Sequence, residues 1–144
     1  MWTPYRGRAR LAVGATIAGH PVTLAVDGKL EDLDPTLLFL DTGAAWSVIG
    51  GLWAERLLAD RRPALASQAL HTRLGTFTGG LYRCTVTLLA HEGVDLSFEP
   101  TVLLTPDWPG PPTLGYPNGL ERLRLALEPA DGDEEAWLHF GPAV

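Results

Sequence analysis

One acid in this chain stands where acids are rarely placed. Asp41 ends the apolar run Leu37-Leu38-Phe39-Leu40 and leads into Thr42, Gly43 and Ala44, then Ala45-Trp46 and Ser47-Val48-Ile49. Burying an unpaired carboxylate is costly, so an acid at this point is expected either to cap a turn or to move a proton. Gly43 allows the sharp turn that brings backbone N–H groups to the carboxylate, and the Thr42 hydroxyl can both donate and accept. Other reactive side chains lack comparable surroundings. His20, His71, His91 and His139 show no paired ligand spacing, so neither a metal site nor a cofactor is expected. Ser47 lies outside any G-x-S-x-G elbow, and Cys84, the one cysteine, has no companion motif and reads as a buried thiol.

The elements that must carry Asp41 are strands. The chain has 144 residues, with 46% hydrophobic and 19% charged, which fits one domain spanning 1–144 and excludes disorder. Its 16 glycines and 12 prolines divide it into short runs rich in Val, Leu, Thr and aromatics, a mainly β rhythm. Strands are expected over 8–17 and 21–26, joined at a turn over 18–20, and over 36–40, where TLLFL suits burial on both faces. A short helix is expected in LWAERLLAD after Gly50-Gly51. Strands over 68–74 and 81–89 would flank a glycine-rich hairpin tip at 75–80. One or two strands are expected over 94–104, a proline-rich loop over 105–113, a helix over 119–127 and a last strand over 137–140. The acidic run 131–135 reads as a solvated turn.

Charge narrows the partners. Eleven Lys+Arg against seventeen Asp+Glu give a net charge of −6, so nucleic acid is not expected to bind. No uncharged stretch is long enough for a membrane span, and Arg6, Arg8 and Arg10 before LAVGATIAG read as a first strand rather than a leader peptide. A cytoplasmic location is expected, the single cysteine favouring a reducing compartment.

The segment 37–49 resembles the active-site motif of the retropepsin-like aspartic proteases: apolar residues, Asp-Thr-Gly-Ala, two variable positions, Ser or Thr, and an apolar pair. A second stretch, Pro112-Thr113-Leu114-Gly115 followed by Leu120-Glu121-Arg122-Leu123, resembles that family's later apolar-Gly pattern. The resemblance implies a closed β-barrel with one short C-terminal helix, and an endopeptidase in which water is activated between two carboxylates. A single Asp-Thr-Gly is present, and Asp27-Gly28 and Asp131-Gly132 lack the threonine. The second carboxylate would therefore be Asp41 of another copy in a homodimer. In that arrangement Thr42 would bond the partner's backbone, Gly43 would face a peptide or unfolded-protein substrate, Ala44 would keep the floor open, and Ser47 would support the loop. Gly75, Thr76, Phe77, Thr78 and Gly79 would form the flap over bound peptide. Ala45 and Tyr116 replace the acid and arginine of viral members. The alternative is a non-catalytic dimeric module of the same fold that binds a peptide or protein.

Overall fold

Short apolar runs punctuated by glycine and proline form most of the strands among the described residues. The computed structural model describes residues 4–12, 15–17, 20–22, 24–60, 63–129 and 135–143. In chain order the elements are β1 (Gly7–Arg10), β2 (Ala15–Ile17), β3 (His20–Val22), β4 (Ala25–Leu30), β5 (Thr36–Asp41), β6 (Ser47–Ile49), the helix α1 (Gly51–Leu58), β7 (Ala66–Thr72) and β8 (Gly75–Arg83). They continue with β9 (Val86–Leu88), β10 (Glu92–Gly93), β11 (Leu96–Phe98), β12 (Thr101–Leu104), β13 (Thr113–Gly115), a 3₁₀ turn (Leu120–Arg122), β14 (Leu123–Glu128) and β15 (Trp137–Pro142).

The mainly β class agrees with the sequence, but the closed barrel does not. Among the described residues the strands form an open nine-stranded sheet, β11-β9-β4-β5-β13-β6-β12-β8-β7, an open four-stranded sheet, β10-β1-β15-β14, and the hairpin β2-β3. Closing the larger sheet would require β11 to pair with β7. β11 is three residues long and pairs only with β9, while β7 lies outboard of β8, so both remain edges. The smaller sheet instead covers the core. Its Ala9, Leu138 and Phe140 pack in one buried cluster with Leu30, Leu38, Val86 and Leu88 of the larger sheet. On its outer side the Arg8 guanidinium stacks 4.0 Å from the centroid of the Trp137 ring and that of Arg10 lies 5.1 Å away, binding β1 to β15.

A second expectation is also corrected. The helix predicted over 119–127 is a single 3₁₀ turn followed by strand β14. Leu120, Leu123 and Leu127 share helical spacing, yet Leu123, Leu125 and Leu127 alternate equally well. The full register of β14 on β15, from Leu123 opposite Pro142 to Glu128 opposite Trp137, decides for the strand. The strand expected over 8–17 is divided between β1 and β2, with residues 13 and 14 outside the described residues. The turn at 18–20 and the acidic run at 131–135 likewise fall largely outside them. The helix after Gly50 forms as expected, burying Ala54 and Leu57.

The hairpin β7-β8 forms in a different place from the one its glycines suggested. Thr72 pairs with Gly75, so Arg73 and Leu74 make the turn and residues 75–80 are strand. Gly79 and Gly80 serve close packing instead of tip freedom. A Cβ on Gly79 would stand 2.2 Å from the Leu104 carbonyl oxygen on β12. Gly79→Ala is therefore expected to destabilise the protein by about 1–3 kcal/mol, through overpacking against backbone that cannot move aside. The midpoint of urea unfolding measures it, and an unchanged midpoint would mean that β8 is not pressed against β12.

Candidate active site

Three short strands position Asp41. β5 carries it to the surface, and the chain then loops through 42–46 before returning as β6. Between β5 and β6 lies β13, parallel to β5 with Gly115 opposite Asp41 and antiparallel to β6 with Thr113 opposite Val48. The loop thus straddles the end of β13. A side chain at Gly115 would not fit, because its Cβ would stand 2.8 Å from the carbonyl oxygens of both Ala44 and Trp46. Leu114, just before it, is buried in the core and anchors the strand.

Ser47 closes the arrangement from below. It is fully buried, and its hydroxyl oxygen accepts the Gly115 N–H at 2.9 Å. Above it the Asp41 Oδ1 accepts the Gly43 N–H at 2.9 Å, and the Ala44 N–H reaches the Asp41 carbonyl at 3.1 Å. These two bonds fix the turn that Gly43 makes and orient one carboxylate oxygen of the exposed Asp41. Asp41, Thr42, Gly43 and Ala45 are exposed, as is Tyr116 beyond β13. The first and second motifs, distant in sequence, are therefore one structural unit.

A cavity of about 710 Å³ opens beside Asp41. Gly43, Ala44, Ala45 and Thr113 contribute to its floor, and Trp46, Val48 and Trp108 give it an apolar wall. Its remaining border is the hairpin. β12 accompanies β8 only as far as Gly80, opposite Leu104, so residues 69–78 project past it as a two-stranded ribbon. The ribbon residues that border the cavity are Leu70, His71, Thr72, Arg73 and Leu74. Of the expected flap set, Gly75, Thr76, Phe77, Thr78 and Gly79 all lie on β8 and none lines the cavity. Thr76 Oγ1 sits 3.1 Å from His71 Nδ1, and Phe77 packs edge-on against Trp108 with centroids 5.3 Å apart. Phe77 therefore braces Trp108, part of the cavity wall.

Trp108 is the main residue that sequence reasoning passed over. The proline-rich loop holds it rigidly: its backbone N–H donates to the Thr105 carbonyl at 3.0 Å and its indole N–H to the Pro111 carbonyl at 3.1 Å. A tryptophan inside a run of prolines, just ahead of the second motif, was the available signal. For the ribbon the signal was Thr72-Arg73-Leu74-Gly75, a two-residue turn between matched runs.

The chain matches no family model, and no curated protein is significantly similar to it. Its chemistry is therefore argued from the geometry. Among the described residues Asp41 is the one acid lining the cavity, and no group of three His, Cys, Asp or Glu side chains is arranged to hold a metal ion. One exposed carboxylate beside an apolar cleft can act as a base when ionised or as an acid when protonated.

Removing the Ser47 hydroxyl should release the loop. Ser47→Ala would leave the buried Gly115 N–H without its acceptor and is expected to cost about 1–3 kcal/mol in unfolding free energy. Amide hydrogen exchange at Gly115 gives the local readout, with protection falling in step. Undiminished protection would show that another group satisfies this amide.

Proposed function

We propose that the protein is an aspartic endopeptidase whose working form is a homodimer, with the two Asp41 carboxylates sharing one active site. The observation that carries this reading is the half-site: an exposed carboxylate, fixed by a backbone N–H on a loop pinned to β13, with no second described acid lining its cleft. Peptide hydrolysis by activated water needs a pair, one carboxylate ionised to take the water's proton and one protonated to polarise the carbonyl. Two such groups about 3 Å apart share a proton and supply both roles. Exposure of Thr42, Ala45 and Tyr116 around Asp41 leaves this face open to a second copy.

The substrate is an extended peptide or unfolded protein. Trp46, Val48 and Trp108 would take a large apolar side chain, while the ribbon closes above it and excludes water. Leu70 and Arg73 of the ribbon thus take the place expected of residues 75–79. Among the described residues no helix is long and apolar enough to cross a membrane. A cytoplasmic setting is part of the proposal, supported by the buried thiol of Cys84 as the one cysteine of the chain.

Asp41→Asn preserves the size of the side chain and removes its proton chemistry, so casein hydrolysis under mildly acidic conditions should fall by at least about a hundredfold while the fold is retained. Activity within about tenfold of the parent would exclude the carboxylate pair. Specific activity should also fall on dilution through the dimer–monomer transition followed by sedimentation, because each chain supplies half of the pair. Activity proportional to protein concentration across that transition would place the whole site in one chain. Peptide binding by a dimer that cuts nothing would favour the binding-module alternative.

A further inference from the structure

The tip of the ribbon carries a charge that acid–base chemistry leaves unused. Arg73 is exposed, borders the same cavity as Asp41 and forms no ion pair with a described residue. Its position is fixed by the turn beneath it. The Thr72 hydroxyl accepts the Leu74 N–H at 3.1 Å and donates to the Gly75 carbonyl at 3.0 Å, and Gly75 has φ of +128°, a conformation that other residues rarely adopt. The guanidinium is thus presented from a braced turn at the cavity's edge. Nothing on the apolar wall opposes it, since Trp46, Val48 and Trp108 carry no charge. A guanidinium remains ionised at any working pH, and its planar fork of donors matches a carboxylate.

We infer that Arg73 is a specificity residue that pairs with an Asp or Glu side chain of the bound peptide, so that the preferred peptide sets an acidic residue near a large apolar one. This inference rests on the peptide-cleft reading above and adds the charge of the substrate to it. The chain's net charge of −6 repels an acidic peptide at long range. The preference therefore resides in the bound complex, as a tighter dissociation constant and slower release, rather than in faster encounter.

Asp41→Asn chains, full length, allow binding to be read without cutting. Fluorescein-labelled octapeptide pools, randomised around a central Leu-Phe pair and carrying Glu, Gln or Lys at each flanking position in turn, serve as probes. Fluorescence anisotropy should show that at one or more positions the Glu pool binds about tenfold more tightly than the Gln pool and the Lys pool more weakly than either. Adding Arg73→Glu should invert that order, and adding Arg73→Lys should keep part of the preference. Equal binding of Glu and Gln pools at every position, binding of no pool at all, or a Glu preference untouched by Arg73→Glu would each overturn the assignment. Cleavage by the parent protein separates the two claims. Discrimination by the Asp41→Asn form with no cutting by the parent would refute proteolysis and support Arg73. Cutting without charge preference would refute Arg73 alone.

Discussion

The hydrogen bond from the Gly115 N–H to the buried Ser47 hydroxyl joins the two segments on which the candidate site depends. β5 and β6 are parted by the width of one strand, and β13 fills that gap with its last residue beneath the Asp41 loop. Glycine is required there because backbone carbonyls of the loop press directly on its Cα. The loop cannot sink, since Gly115 and Ser47 lie under it, and cannot twist freely, since the Gly43 amide holds the carboxylate. The orientation of Asp41 thus depends on the strand packing beneath the loop together with the loop's own Gly43 amide.

The ribbon obeys a different constraint. Its base is tied to the sheet through β12, and its middle rests on Trp108 by way of Leu70 and Phe77. Beyond Phe77 each strand has only the other to bond, so opening the outer part breaks few contacts. The segment with the fewest ties to the sheet is the one that borders the cavity, while Trp108 on the facing wall is tied by its indole bond to the Pro111 carbonyl.

Much of this was legible from residues alone. The apolar run ending in Asp41, the glycine that follows it and the serine six residues on lead to the loop and its support, because burial and turn chemistry are local properties. The pairing of Gly115 with Asp41 is non-local: the resemblance marks both motifs, but their adjacency is a property of the sheet. Errors arose where two periods fit one sequence. Residues 119–127 carry leucines at both helical and alternating spacing, and the availability of β15 as a partner settles a choice that the segment itself leaves open. The glycines at 79 and 80 suggest freedom but mark close approach, Gly79 to β12 and Gly80 to the Tyr82 and Ala64 side chains, since glycine serves both ends and sequence does not distinguish them. Barrel closure failed for a similar reason: strand count and length are visible in sequence, but which edges stay unpaired is not.

The pairing of β1 with β15, reinforced by Arg8 and Arg10 stacked on Trp137, also bears on how the molecule is made. β1 leaves the ribosome well over a hundred residues before β15, so the four-stranded sheet cannot assemble until residues 137–142 have been made. Until then the inner faces of β4 and β9 lack the cover of Leu138 and Phe140. Such distant closure is characteristic of slow folding, with apolar strands exposed for longer than in chains built from local contacts. The nascent protein is therefore most vulnerable to aggregation in the interval before β15 arrives.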